Sequence, residues 1–165
     1  MRTAIYPGSF DPVTSGHLDI VRRAAQLFDH VVVSVLTNPA KQFTFSEDER
    51  VFMLREVTKK MPNVRVVCHE GLLVDLCEKE GTNIIVKGLR AVSDFEYEFQ
   101  MALTNRILKP HIDTVFLTTT VAHMHLSSSM VRDVARFGGD ISEFVPDEVG
   151  KFIFKKLSGV KGEAE

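Results

Sequence analysis

Apolar and polar positions along this chain alternate between two textures. Short runs rich in β-branched residues, RTAIY at 2–6, HVVVSVLT at 30–37, VRVVC at 64–68, NIIVK at 83–87 and DTVFL at 113–117, read as strands. They are nearly continuous in apolar character, as expected of strands covered on both faces. Between them, apolar positions recur at helical spacing near 16–28, 46–61, 72–80, 95–108 and 127–137, with a last stretch near 146–157. The boundaries carry their own marks: Ser46 and Glu49 form a capping box, Gly81 stands at a helix C-cap, and Pro110 stops the fourth helix.

Strictly alternating strands and helices predict an α/β fold, a Rossmann-like, doubly wound, parallel five-stranded sheet with helices on both faces and right-handed crossovers. One domain is expected over 1–165, with 158–165 a frayed tail. Sheets of this kind bind ligands beyond the carboxyl ends of their strands, where strand order reverses. Residues 7–17, 38–45, 69–74, 87–98 and 118–129 are therefore the places to look for chemistry.

Composition narrows the classes. With 44% apolar and 25% charged residues the chain is an ordinary globular one. Twenty basic against twenty-two acidic side chains give a net charge of −2, so no positive field holds a polyanion and no nucleic-acid partner is expected. No apolar run approaches the roughly 20 residues of a membrane span, and the N-terminus lacks a secretory pattern, so no membrane partner and a cytoplasmic location are expected. Cys68 and Cys77 are expected to be free thiols packed in apolar surroundings.

The dinucleotide pattern G-x-G-x-x-G is absent from the first strand-to-helix turn, and no P-loop is found. Gly8-Ser9-Phe10-Asp11-Pro12 stands there instead, followed by Thr14-Ser15-Gly16-His17. Gly8 and Gly16 admit close backbone approach, and the helix that follows offers unpaired N–H groups to an anion. His17 either aims an imidazole N–H at that anion or simply caps and packs. Lys87 and Arg90 flank Gly88 after the fourth strand, Ser127, Ser128 and Ser129 open a helix with Arg132 one turn in, and Lys41 follows the second strand. The first two either hold phosphate oxygens or are a solvated basic loop and a plain N-cap, and Lys41 taken singly means little; their gathering on one edge of one sheet favours phosphate. His123 and His125 have no third ligand at a telling spacing, so no protein-held metal is expected.

Thr14–His17 and Leu126–Arg132 resemble the (H/T)-x-G-H and I-S-S-T-x-x-R signatures of the nucleotidylyltransferase superfamily. More closely, YPGSFDPVTSGHLDIV at 6–21 and GLRAVSDFEYEFQMA at 88–102, with NR following, resemble the bacterial phosphopantetheine adenylyltransferases, and the similarity runs over most of 2–155. The resemblance implies transfer of the adenylyl group of ATP to 4′-phosphopantetheine, giving dephospho-CoA and pyrophosphate, in a homohexamer, with coenzyme A among the implied ligands as an inhibitor. It implies that Ser9, Phe10 and His17 meet ATP, with Ser9 also near the acceptor, and that Lys41, Leu73 and Lys87 contact the pantetheine substrate. Gly88, Leu89, Arg90 and Glu98 hold nucleotide, and His123, Met124, His125, Leu126, Ser127, Ser128 and Ser129 close over triphosphate and adenine. Two departures stand out: Lys87 replaces an arginine common in the family, and TTTVAHMH at 118–125 differs from the usual loop.

A phosphate monoester has its second pKa near ~6, so the acceptor is already an anion at neutral pH and needs no general base. Catalysis is then positioning and charge stabilisation. His17, Lys41 and Arg90 are the expected catalytic groups, with Mg2+ carried on the ATP phosphates.

Overall fold

The computed structural model of the protein describes residues 1–159, apart from the Ser93 side chain. The frayed tail predicted from 158 lies mostly outside the described residues. The element order is β1 (Thr3–Gly8), α1 (Ser15–Leu27), β2 (His30–Thr37), α2 (Glu47–Thr58), β3 (Val64–Glu70), α3 (Leu73–Lys79), β4 (Ile84–Leu89), α4 (Val92–Leu108), β5 (Asp113–Thr118), α5 (Ser128–Arg136) and α6 (Asp147–Ser158). A 3-10 turn at Val121–His123, unmarked in the sequence pattern, joins β5 to α5. The α/β expectation holds: all five strands are parallel, in the order β3-β2-β1-β4-β5.

Side chains that alternate across the strands feed two cores. Ala4 and Tyr6 of β1 and Val31, Val33 and Val35 of β2 face α1, α2, α5 and α6, packing on Val21, Leu54, Val131 and Ile153. Ile5, Val32 and Ile85 face the other way, onto Val74, Leu76 and Cys77 of α3. Burial on both faces is complete for the middle of β1 and of β2. It is not for β3 and β5, whose burial alternates because each is an edge strand with one neighbour. Cys68 on β3 is accordingly exposed rather than packed, and its thiol donates to Glu47 Oε1 at 2.6 Å, while Cys77 is buried.

Helix starts follow local chemistry. Ser46 accepts from the Glu49 N–H, and the Glu49 carboxylate reaches back to the Ser46 N–H, as the sequence pattern predicts. Helix α4 begins at Val92, three residues before the apolar rhythm announces it, because the Asp94 carboxylate folds back to accept from the Arg90 N–H at 3.2 Å. Strand order reverses between β1 and β4, which hydrogen-bond through Ile5 and Ile85. The carboxyl ends of those two strands open into the site.

Candidate active site

Most of the groups singled out at the strand ends arrive at one cleft of about 1010 Å³. Its floor is the turn that leaves β1. Phe10 has φ +50°, a left-handed backbone unusual for a residue with a side chain, and its ring is 98% withdrawn from solvent. The ring folds back under Gly8, where any Cβ would lie 2.8 Å from the Phe10 Cζ, and it meets Tyr6 and His17 edge to face at 5.5 and 5.1 Å. Phe10 therefore presents backbone, not ring, to a ligand. Beyond it, the Asp11 carboxylate accepts from the Thr44 and Phe45 N–H groups at 3.0 and 2.8 Å. Arg132 donates to the Asp11 carbonyl and lies 3.5 Å from its carboxylate, and the Ser128 hydroxyl donates to the Pro12 carbonyl at 2.8 Å. One short turn thus ties the loop after β2 to the start of α5.

His17 caps its helix, and the cap leaves the other ring nitrogen facing the cleft. Thr14 is the N-cap of α1, and His17 occupies the position where a capping box ordinarily has Glu or Gln. Its Nδ1 accepts the Thr14 backbone N–H at 3.1 Å. That bond fixes the tautomer: Nδ1 carries no proton, so Nε2–H is a donor, and the ring lines the cleft. Burial, helped by the Arg90 charge, lowers the imidazole pKa to about 4, so the ring is neutral at physiological pH.

Arg90, Lys87 and Arg132 stand on the walls in preset positions. Arg90 is gripped by Asp94, Nε to Oδ2 at 3.1 Å and Nη2 to Oδ1 at 3.3 Å, and its Nη1 donates to the Leu126 carbonyl at 2.6 Å. The loop after β4 is thereby pinned to the entrance of α5. Lys87 pairs with Glu98 at 3.1 Å across β4 and α4, so these two act at one point of the wall. Lys41 is exposed on the loop after β2. At α5, Ser127 is the N-cap and accepts from the Met130 N–H at 3.1 Å, while Arg132 Nη2 donates to Ser129 Oγ at 3.1 Å. Gly88 lets α1 lie close to β4, since a Cβ there would stand 2.9 Å from Ile20 Cγ1.

Of the residues singled out by sequence, Ser9, Phe10, His17, Lys41, Leu73, Lys87, Gly88, Arg90, Glu98, Leu126, Ser127, Ser128 and Ser129 line this cleft. Leu89, His123, Met124 and His125 do not. The Leu89 carbonyl accepts from the Thr119 N–H, and His123 closes against the start of α1, 3.5 Å from where a Cβ on Gly16 would stand. Sequence reasoning missed the face of α4 made by Asp94, Tyr97, Met101, Thr104, Asn105 and Leu108. Five of the six lie inside the helix predicted over 95–108, at spacings of three and four that put them on one face, but the pattern does not say which face meets the cleft; Asp94 alone falls in the stretch that reads as loop. Among the described residues no cluster of three His, Cys, Asp or Glu side chains is placed to hold a metal.

A sheet of this order, with an N-capping histidine, two helix N-termini and fixed cations around one cleft at its switch point, defines a nucleotidyltransferase. A family model described as cytidylyltransferase-like matches residues 5–134. A Vibrio parahaemolyticus protein assigned as a nicotinate-nucleotide adenylyltransferase shares the fold, with TM-score 0.66 at 18% identity over 95% of each chain. Curated relatives are closer: a phosphopantetheine adenylyltransferase of Caldanaerobacter subterraneus is 56% identical over 95% of this chain and 98% of its own, and one of Lachnoclostridium phytofermentans is 50% identical over 99% and 100%. The chain belongs to the phosphopantetheine adenylyltransferase family, and it is an enzyme.

Proposed function

We propose that the enzyme transfers the adenylyl group of ATP to the phosphate of 4′-phosphopantetheine, releasing pyrophosphate and giving dephospho-CoA, by direct attack of the acceptor phosphate on the α-phosphate with no covalent enzyme intermediate. The observation that carries this reading is the His17 Nε2–H, held as a neutral donor in a cleft whose walls also bear Lys41, Arg90 and the start of α5. His17 donates to an α-phosphate oxygen, where charge grows as the bond forms. Lys41 bridges the acceptor phosphate and the α-phosphate, and Arg90 with Ser128 and Ser129 holds the β- and γ-phosphates.

Magnesium enters as part of the MgATP substrate. The cleft carboxylates support this: Asp94 is taken by Arg90, Glu98 by Lys87, and Asp11 by two amides and Arg132. The other end of the cleft is lined by Leu72, Leu73, Tyr97, Met101 and Leu108, with Thr104 and Asn105 for polar contacts. That mixture suits a long, flexible arm carrying amides better than a second nucleotide.

Pyrophosphate release from ATP, measured against 4′-phosphopantetheine, nicotinate mononucleotide and sugar or polyol phosphates, tests the reading. Turnover with the first alone, with dephospho-CoA appearing by mass, is expected; turnover only with another acceptor would overturn it. Lys87→Ala is expected to raise the acceptor KM about tenfold or more, through loss of a charge-assisted contact, with a smaller effect on the ATP KM. An unchanged acceptor KM in steady-state kinetics would remove Lys87 from that site. The reading places the reaction in the cytoplasm, in keeping with two free cysteines.

A homohexamer is proposed as the working assembly. Support comes from α4, where Phe95, Phe99, Leu103 and Ile107 form a stripe on the side away from the cleft, exposed by 41 to 81%. Phe95 also meets Phe116 of the edge strand β5. An apolar patch of this extent is ordinarily covered by protein. Ile107→Lys is expected to lower the mass seen in sedimentation; an unaltered mass would detach this face from assembly.

A further inference from the structure

The largest fully buried side chain of the protein is a cation that no motif contains. Arg50, on α2, is 1% exposed. Among the described residues it has no carboxylate within ion-pairing distance, and its Nε has no hydrogen-bond partner. Its Nη1 instead donates to two backbone carbonyls, Ser9 at 2.8 Å and Leu36 at 3.1 Å, and its guanidinium carbon lies 4.1 Å from the centre of the Phe43 ring. Ser9 lies on the turn after β1, Leu36 near the end of β2, and Phe43 two residues beyond Lys41. One guanidinium therefore holds both loops that flank the acceptor side of the cleft.

The consequence for the turn follows from peptide geometry. In a trans peptide the C=O and the next N–H point in opposite directions. Drawing the Ser9 carbonyl down onto Arg50 turns the Phe10 N–H the other way, and no acceptor for that N–H is found among the described residues. Phe10 also has the left-handed backbone that gathers successive N–H groups into an anion-binding concavity. A buried charge is unfavourable unless the surroundings compensate it, and here carbonyl dipoles and an aromatic face do so.

We propose that Arg50 is a positioning residue of the transfer reaction: it orients the Ser9–Phe10 peptide toward the incoming phosphate and, through Phe43, sets the loop that carries Lys41. The inference rests on the acceptor and on the role of Lys41 proposed above. A misplacement of about 1 Å at such groups lowers rates by up to about 10²-fold, which sets the scale of the effect.

The test compares kcat, acceptor KM and ATP Kd for wild type, Arg50→Lys and Phe43→Leu, each also combined with Lys41→Ala. Arg50→Lys keeps the charge and loses the fork that reaches two carbonyls. Expected for Arg50→Lys is a kcat lowered on the order of 10-fold to 10²-fold with the ATP Kd nearly unmoved, and a loss that shrinks severalfold when Lys41 is already alanine, the remainder belonging to the Ser9–Phe10 peptide. An unchanged kcat in the folded variant, or losses that multiply independently with Lys41→Ala, would overturn the proposal. If Arg50→Lys does not fold, Phe43→Leu decides by the same two criteria. A wild-type enzyme that does not turn over 4′-phosphopantetheine would sink the proposed reaction instead.

Discussion

His17→Ala is expected to lower kcat by at least about 10²-fold while the ATP KM changes little. The reason is that Nε2–H is aimed by a bond the chain makes with itself: the Thr14 N–H occupies Nδ1, so the ring cannot exchange tautomers without losing its cap. A donor fixed before substrate arrives needs no reorganisation as charge develops on the α-phosphate. Because the pKa is pushed down to about 4, the rate has no inflection from His17 near its ordinary value of 6.5. The same shift has a stability sign. Between pH 6.5 and about 4 the unfolded chain binds a proton at this residue that the folded one does not, so stability is fully present above 6.5 and falls as pH drops toward 4. Urea melts across this window should show a slope for wild type that flattens in His17→Ala. Wild-type kcat in the variant would remove His17 from the chemistry.

The largest effect on stability is expected from Asp11→Ala, a loss of about 3–5 kcal/mol. The carboxylate is buried and compensates the Thr44 and Phe45 amides and the Arg132 guanidinium together. Deletion leaves all three facing a void, and Arg132 keeps the Asp11 carbonyl and the Ser129 hydroxyl but no carboxylate. Chemical denaturation is expected to show a lower midpoint with an unchanged m-value, the mark of a native-state loss. Asp11→Asn keeps one acceptor and should recover part of it. A loss below about 1 kcal/mol in Asp11→Ala would mean the turn is held by its apolar packing alone.

How much of this was legible in the chain can be judged element by element. HVVVSVLT predicts β2 at 30–37, the limits it has, because a buried strand needs an uninterrupted apolar run and this one is bounded by turn formers. The start of α4 was not legible. AVSD reads as loop until Asp94 is seen closing on the Arg90 N–H, and with those residues went Asp94 as the partner of Arg90. Lys87 and Glu98, eleven positions apart, carry no sign of their pairing, which exists only because β4 and α4 pack together.

Periodicity and motif spacing by themselves determined an α/β parallel sheet and the strand ends where ligands gather. Both depend on short-range rules, alternation along a strand and chemistry at a helix start, which act within a few residues. Tertiary structure alone decided the strand order, the depressed pKa of His17, the pairing of Lys87 with Glu98 on α4, and the burial of Arg50 beneath two loops. Charge state and hydrogen-bond direction depend on what the folded chain brings within a few ångströms, and for these groups most of those neighbours lie far away in sequence.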